Sequence, residues 1–254
     1  MSALKKGAAV VPLAIFAAVA VSVIFLSDGP PPPQQEARVS APSAESLAPD
    51  WPRIAEWPVL DVEPLSMPDP NLLTTVILLD DSGSMSAEMA DAKAAVLSAA
   101  EQLPKGGKLA VLALNAGNVL EPTPVADAQA LLPDALRNVI ADGNTPLGAR
   151  MLDAYRVLSE EAALQRGFGT YRLVITTDGQ ASDAGALREA MVQILSGSPI
   201  EVATIGLGIG EGHPLNMPGQ TRYVSVDTVA EFATALSAAT AEQTSFDPIT
   251  SFSE

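Results

Sequence analysis

Short apolar runs alternate with stretches of helical periodicity along most of the chain. Runs that are rich in branched residues and lack polar alternation are typical of strands buried on both faces, whereas apolar residues three or four positions apart are typical of helices with one buried face. The predicted strands cover residues 72–79, 108–114, 171–177, 200–206 and 222–226, and the predicted helices cover 86–103, 146–165, 183–195 and a stretch from 227 onward. Segment 119–125 contains two prolines and is predicted to be an edge strand or a loop, since proline cannot donate to a strand ladder.

The order of these elements predicts the fold class. Strands that alternate with helices form βαβ units, and their right-handed crossovers place the strands in parallel with helices on both faces of the sheet. We therefore expect an α/β, Rossmann-like doubly wound fold with a mainly parallel central sheet flanked by helices.

An apolar stretch near the N-terminus indicates a membrane segment. Residues 8–26 carry no charge, and these 19 residues approach the length of about 20 that a helix needs to cross the hydrocarbon core. The run ends in bulky residues instead of a small-residue cleavage site, which favours an uncleaved signal anchor over a cleaved signal peptide. Lys5 and Lys6 precede the span and no basic residue follows it until Arg38. The positive-inside bias therefore predicts that residues 1–7 are cytoplasmic and that the chain after residue 27 is periplasmic or extracellular.

A proline-rich linker, residues 27–70, is expected between this transmembrane helix and a domain at 71–240. It contains 11 of the 21 prolines, a composition typical of extended spacers. Both tryptophans, Trp51 and Trp57, lie in it. We interpret them as staples that hold the linker on the domain, with a partner-binding motif as the alternative. Residues 241–254 are predicted to be a flexible C-terminal tail.

Charge and composition exclude several kinds of partner and chemistry. The chain has 30 acidic and 14 basic residues, and its formal net charge of -16 repels nucleic acid and anionic lipid headgroups, so no nucleic-acid partner is expected. The absence of cysteine excludes disulfides, thiolate metal sites and cysteine nucleophiles. A single histidine, His213, leaves little material for histidine-based metal or triad chemistry.

Three polar clusters are predicted to meet at one edge of the sheet. They are DDSGS at 80–84 after the first strand, DGNT at 142–145 before a helix, and TDGQASD at 177–183 at the end of a later strand. Open parallel sheets bind ligands beyond the carboxyl ends of their strands, where the strand order reverses. The three clusters are therefore expected to form one site.

The first cluster alone is compatible with three chemistries. An aspartic protease needs two Asp-Ser/Thr-Gly turns that share a proton, and the chain supplies only the one that begins at Asp81. A receiver domain needs a phosphate-accepting aspartate on a later strand and a lysine beyond it, yet residues 109–121 contain no aspartate and no lysine follows Lys108. The third hypothesis, oxygen ligation of a hard metal ion, uses residues of all three clusters.

With D-x-S-x-S at 80–84, Thr145 and Asp178, the chain resembles the von Willebrand factor type A domain. The resemblance covers residues 71 to about 240 and rests on the segments LLDDSGSM, GNTPLGAR and VITTDGQASD, which follow one another in the order of the family. Together with the apolar segment 8–26, it predicts a membrane-anchored member of bacterial type.

The resemblance implies a metal-ion-dependent adhesion site. In that site Ser82, Ser84 and Thr145 would give hydroxyl ligands, and Asp80 and Asp178 would bind the metal directly or through water. The expected cofactor is Mg²⁺, with Mn²⁺ or Ca²⁺ as a substitute. Mg²⁺ prefers six oxygen ligands at about 2.1 Å and keeps several waters, so three hydroxyls and two carboxylates form a fitting but incomplete shell.

Four further residues are candidates for the surroundings of the metal. Asp81 and Asp183 are each expected to be a solvated loop residue or a helix cap, and the alternative for each is that it strengthens the negative potential there. Gly83 is expected to allow a tight turn between the two serine ligands. His213 ends a glycine-rich stretch that we interpret as a flexible loop on the rim of the site. The histidine is expected to be exposed there without a role, with contact to a partner as the alternative.

The apolar segment predicts an outward-facing, membrane-anchored domain. The resemblance implies that this domain binds a protein partner, with an acidic side chain of the partner completing the metal coordination. The sequence shows no nucleophile with a base, no phosphate loop and no histidine cluster, so we do not expect an enzyme. Two alternatives remain open. One is a subunit of a larger membrane-associated complex, as in type A proteins that work with AAA+ ATPases or metal chelatases. The other is a scaffold whose metal is structural.

Overall fold

The computed structural model of the chain describes residues 47–241. The predicted transmembrane segment 8–26, the first part of the predicted linker and the tail from residue 242 lie outside the described residues. Within the described range, none of the helices combines the length and the apolar character that crossing a membrane requires.

One sheet organises the described part of the chain. Its strands are β1 Leu73–Leu79, β2 Lys108–Ala113, β3 Gly117–Pro124, β4 Thr170–Thr177, β5 Glu201–Leu207 and β6 Arg222–Val226. They lie in the order β3-β2-β1-β4-β5-β6, and every neighbouring pair is parallel except β2 with β3. The predicted doubly wound α/β fold is thereby confirmed, and the proline-containing segment is an antiparallel edge strand.

The helices are α1 Trp51–Glu56, before the first strand, α2 Met89–Gln102, α3 Val125–Arg137, α4 Leu147–Leu164, α5 Ala184–Met191 and, after the last strand, α6 Val229–Thr240. A 3₁₀ turn, Gly83–Ser86, precedes α2, and a π-helical turn, Val192–Ser196, extends α5.

Helix α3 is missing from the sequence-based prediction. Its buried residues, Val125, Ala128, Leu132 and Leu136, have helical spacing. Pro133 lies inside the helix and obscured this signal, because an interior proline normally breaks or kinks a helix.

The core has two layers, one on each face of the sheet. Helices α2, α3 and α6 cover one face, and α4 and α5 cover the other. Strand β1 is buried on both faces, with Ile77 in the first layer and Val76 and Leu78 in the second. This double burial explains why β1 has no polar alternation in the sequence.

The two tryptophans of the predicted linker have different environments. Trp57 is 8% exposed, donates from its indole nitrogen to Oγ of Ser159 (3.1 Å), and meets the ring of Tyr171 edge-on with the centroids 5.2 Å apart. Trp51 is 71% exposed. The staple interpretation therefore holds for Trp57 and is wrong for Trp51.

The strand order places a crevice at one edge of the sheet. Strand β1 has β2 on one side and β4 on the other. The chain therefore adds β2 and β3 toward one edge of the sheet and then β4, β5 and β6 toward the opposite edge. Such a reversal opens a space beyond the carboxyl ends of β1 and β4, where an open α/β sheet binds ligands. The loops that begin at Asp80 and Asp178 leave the sheet there.

Candidate metal centre

Asp80 directly follows β1 and is fully buried at the base of the crevice. Its Oδ1 accepts the backbone N–H of Ser82 (2.9 Å), and its Oδ2 accepts the hydroxyl of Thr177 (2.7 Å), the last residue of β4. These bonds fix the carboxylate between the two central strands. Each carboxylate oxygen has two lone pairs, so the group retains acceptor capacity for a cation.

Ser82, Ser84 and Asp178 form a chain of polar contacts across the crevice. The two serine Oγ atoms are 3.1 Å apart, and the Ser84 hydroxyl donates to Oδ1 of Asp178 (2.9 Å). Burial raises the pKa of Asp178; the hydrogen bond from Ser84 opposes this shift, and the nearby charge of Asp80 adds to it. A cation at this position would relieve the repulsion between the two carboxylates.

The Thr145 loop is tied to both of the other loops. The N–H of Gly83 donates to the carbonyl of Gly143 (3.1 Å), and the N–H of Ser182 donates to the carbonyl of Thr145 (2.9 Å). Gly143 has a φ of +79°, and a Cβ there would lie 2.6 Å from Oδ1 of Asn115. Only glycine fits this position without strain. Thr145 itself is half-buried.

Gly83 is placed differently from what we expected. It begins the 3₁₀ turn, and a Cβ there would meet the carbonyl oxygen of Gly143 at 3.6 Å, an ordinary contact distance. The turn between the two serines therefore imposes no steric requirement for glycine at position 83.

Asp81 is buried and faces away from the crevice. Its Oδ1 accepts the backbone N–H of Asn115 (2.7 Å) and the side-chain amide of the same residue (3.2 Å), and its Oδ2 accepts the N–H of Ala116 (2.9 Å). The expectation that Asp81 is a solvated loop residue is wrong, because the side chain is buried. The carboxylate joins the end of β1 to the turn between β2 and β3.

Asp183 caps a helix, but not the one that it precedes in the sequence. It is the N-cap residue of α5 by position, yet its side chain makes no cap bond there. Its two carboxylate oxygens instead accept the backbone N–H groups of Gly148 (3.0 Å) and Ala149 (2.7 Å) in the first turn of α4. Asp183 thus connects the Asp178 loop to the helix that follows Thr145.

His213 is buried, so the expectation of an exposed histidine is wrong. It is 3% exposed and stacks on Tyr223, with the ring centroids 6.0 Å apart and an interplanar angle of 14°. Its Nδ1 accepts the N–H of Leu215 (3.2 Å), so in the neutral ring the proton lies on Nε2. Burial lowers the pKa of His213, and the backbone of Gly179 in the Asp178 loop opposes that shift. The histidine therefore packs the β5–β6 loop beside the crevice.

Comparison with known proteins relates part of the chain to a known family. Residues 75–180 match the sequence model of the von Willebrand factor type A domain. The described residues have the von Willebrand factor type A fold. No curated protein matches the sequence.

Solved structures are similar to this chain, and the two with a TM-score above 0.5 share its fold. The von Willebrand factor type A protein from Catenulispora acidiphila has 19% identity and a TM-score of 0.56, over 67% of this chain and 42% of that chain. The SpRpn10 VWA domain has 16% identity and a TM-score of 0.52, over 64% of this chain and 94% of that chain. The manganese-loaded Plasmodium vivax TRAP protein has 16% identity and a TM-score of 0.49, over 68% and 74%. This chain thus spans less than half of the Catenulispora protein, and identities this low establish the fold alone.

The side chains in the crevice of the type A domain suit a hard divalent cation. Among residues 47–241, no group of three or more His, Cys, Asp or Glu side chains converges, so a cation here depends on hydroxyl oxygens as well as on carboxylates. Ser84 brings such a hydroxyl within 2.9 Å of the Asp178 carboxylate. A shell of oxygen ligands that includes one or two carboxylates is what Mg²⁺ accepts in proteins, and Mn²⁺ prefers the same kind of donors. The residues present therefore fit the metal that the family resemblance implies.

Sequence reasoning missed two polar residues that position the site. The Thr177 hydroxyl holds Asp80, and Asn115 donates both to Asp81 and, through its side-chain amide, to the carbonyl of Asn144 (2.9 Å). Thr177 lies within one of the polar clusters, so a search for hydroxyls at strand ends could have found it. Asn115 follows β2 without any local motif, and only the fold brings it to the site.

Proposed function

We propose that this type A domain binds a protein partner through a divalent metal, Mg²⁺ with Mn²⁺ or Ca²⁺ as a substitute. The proposed ligands are Asp80, Ser82, Ser84, Thr145 and Asp178. The observation that supports this function best is the hydrogen bond from Ser84 to Asp178, which joins two loops 94 residues apart at the carboxyl edge of the sheet. A helix cap or an isolated turn would not require that convergence.

The division of charge among these side chains favours partner binding. Two carboxylates and three neutral hydroxyls leave a divalent ion with Lewis acidity toward one further oxygen ligand. Asp80 is held rigid by Ser82 and Thr177, so its orientation does not depend on the partner. Ser84 is exposed and Asp178 half-buried, so the outer side of the site is accessible. An acidic side chain of the partner is the ligand that suits this position.

The proposed setting is a membrane surface. Residues 8–26 would anchor the chain, and the positive-inside bias would place the type A domain on the outer side. We propose a binding role without catalysis for this domain.

The first test is capture of a partner by the full-length chain. Cross-linked membranes are incubated with the wild-type chain in Mg²⁺ or in EDTA, and with Asp80→Ala in Mg²⁺. We expect capture only by the wild type in Mg²⁺. Glu101→Ala, which removes an exposed carboxylate at the end of α2, serves as the matched control and should capture normally. Capture that survives both chelation and Asp80→Ala would contradict adhesion and favour a scaffold with a structural metal.

The second test concerns orientation. A reporter that is active only outside the cytoplasm, fused to the C-terminus of the full-length chain, should be active. Activity of a cytoplasm-specific reporter at the same position would contradict the outward orientation and leave the metal site untouched.

A further inference from the structure

The carboxylate of Asp183 lies between two of the loops that supply the proposed metal ligands. It follows Asp178 by five positions in the third loop, and it accepts the N–H groups of Gly148 and Ala149 at 3.0 and 2.7 Å. Both donors lie in the first turn of α4, directly after the Thr145 loop. The contact therefore connects Asp178 with Thr145 through a single charged side chain.

A second contact runs beside the first. The N–H of Ser182 donates to the carbonyl of Thr145 (2.9 Å), so two neighbouring residues of the third loop hold the second loop. One bond fixes the backbone of Thr145 itself, and the other fixes the helix that follows it. The two attachments together restrict rotation as well as translation of the Thr145 loop.

The helices at this junction are in backbone contact. A Cβ added to Gly148 would lie 2.0 Å from the backbone nitrogen of Leu187 in α5. With so little space between α4 and α5, the first turn of α4 cannot shift to follow a displaced capping group. The position of the carboxylate relative to that turn is therefore sensitive to the length of the side chain at 183.

We propose that Asp183 is a positioning residue for the metal site. Its carboxylate sets the separation between the Thr145 hydroxyl and the Asp178 carboxylate, and it does so without contacting the cation. This inference rests on the proposed function, because it assumes that Thr145 and Asp178 share a metal ion. Groups that orient metal ligands from outside the coordination shell typically contribute about 10- to 100-fold to metal affinity.

Two substitutions separate geometry from charge. Asp183→Glu keeps the charge and both acceptor oxygens but moves them by one methylene. Glu88→Gln removes a charge that acts on Asp178 and breaks no hydrogen bond that the structure shows for its side chain. Asp183→Asn changes both properties, since an amide offers one acceptor oxygen in place of two.

The experiment measures Mn²⁺ binding to the full-length chain by electron paramagnetic resonance, with melting temperatures in EDTA recorded for each variant. We expect Asp183→Asn to bind Mn²⁺ about 10- to 100-fold more weakly and Asp183→Glu several-fold more weakly than the wild type, with Glu88→Gln within about three-fold. A purely structural role would lower the melting temperature in EDTA and leave the affinity of the folded protein unchanged.

The outcomes are distinguishable from failure of the proposed function. If the wild type binds no Mn²⁺, the proposed function is wrong and this inference is wrong with it. If the wild type binds Mn²⁺ and the folded Asp183 variants bind within about two-fold of it, only the inference is wrong. An effect of Glu88→Gln as large as that of Asp183→Asn would assign the loss to charge and would also overturn positioning. If Asp183→Asn does not fold, the Mn²⁺ affinity of Asp183→Glu is the test: binding several-fold weaker than the wild type supports positioning, and binding within about two-fold overturns it.

Discussion

At the scale of single residues, the adjacent pair Asp80 and Asp81 shows how one dipeptide serves two purposes. Successive side chains of an extended chain point to opposite sides, so a pair that follows β1 delivers one carboxylate to each side. Asp80 faces the crevice, where it meets Ser82 and Thr177. Asp81 faces the turn after β2 and takes up backbone N–H groups there. One carboxylate is available to a cation, and the other is occupied by the protein.

Asp81→Ala is therefore expected to destabilise the fold even without metal. The change leaves the N–H groups of Asn115 and Ala116 without their acceptor, and hydrogen bonds to a charged group contribute about 1.5–3 kcal/mol. We expect the free energy of unfolding in EDTA, measured by urea denaturation, to fall by about 2–3 kcal/mol. Asp61→Ala, at an exposed position, is the control and should change it by less than about 0.5 kcal/mol. Equal values for the two variants would contradict the role of Asp81.

The burial of His213 leads us to expect that the free energy of unfolding falls as the pH is lowered. Burial lowers the pKa of this histidine below its ordinary value of 6.5, so the unfolded chain binds more protons than the folded chain just below pH 6.5. The contribution of the neutral ring to stability is complete above pH 6.5 and is lost as the pH falls through the folded pKa. Denaturation measured between pH 7.5 and 4.5, together with ¹⁵N chemical shifts of the single histidine, should show this.

His213→Asn is the control for that measurement, because its side-chain oxygen can still accept the N–H of Leu215 while the residue does not titrate. The histidine-specific slope should disappear in this variant. A slope that persists would assign the dependence to carboxylates and contradict the prediction.

At the scale of elements, two glycines near the starts of neighbouring helices differ in the space available for a side chain. Gly148 in the first turn of α4 is pressed against the backbone of α5, whereas nothing lies within 4 Å of a Cβ at Gly185 in α5. A glycine in an open helical position costs about 0.5–1 kcal/mol relative to alanine, so Gly185 is tolerated and Gly148 is required by packing.

The pair gives a matched test of how α4 and α5 meet. Gly148→Ala forces the helices apart and should lower the free energy of unfolding by about 1–3 kcal/mol or more, because packed interiors cannot absorb an added carbon. Gly185→Ala should raise it by about 0.5–1 kcal/mol. Chemical denaturation of both variants in EDTA checks the two signs. A neutral Gly148→Ala would mean that the helices are farther apart than the structure shows.

At the scale of the whole molecule, the reversal of strand order between β1 and β4 places the proposed metal site where loops from different parts of the domain meet. The loops that reach it follow β1, precede α4 and follow β4, and hydrogen bonds connect all three. A cation bound there would contact segments from both halves of the type A domain. Its binding should therefore oppose global unfolding as well as local loop motion.

Divalent cations are accordingly expected to raise the melting temperature of the full-length chain in a saturable way. A ligand that binds only the folded state at about 100 times its Kd adds about 2.7 kcal/mol to the free energy of unfolding. Differential scanning fluorimetry with Mg²⁺ or Mn²⁺ should show the rise in the wild type, and EDTA should reverse it. KCl at equal ionic strength is the control for screening. A rise of the same size in Asp80→Ala would show that the cation binds elsewhere.

Much of this architecture was accessible from the sequence because local patterns specify local structure. The parallel strands and most helices follow from hydrophobic periodicity, and two of the three polar clusters that supply the proposed ligands lie at strand ends, where ligand sites of this architecture occur. The partners of Asp81, Asp183 and His213 were not accessible. Apart from the local bond of His213 to Leu215, each contact is made with a residue from another element. Contacts between residues far apart in the sequence leave no pattern in the spacing of residues along the chain.

The sequence by itself determined the α/β class, the type A resemblance and the residues proposed to hold a metal, because strand-end motifs and their order along the chain are properties of the primary structure. Only the tertiary structure decided which backbone groups the Asp81 carboxylate accepts, which helix Asp183 caps, and that His213 is buried. The direction of a side chain depends on the twist of the strand that carries it and on the elements packed around it. These are settled by the assembly of the whole sheet and its helices.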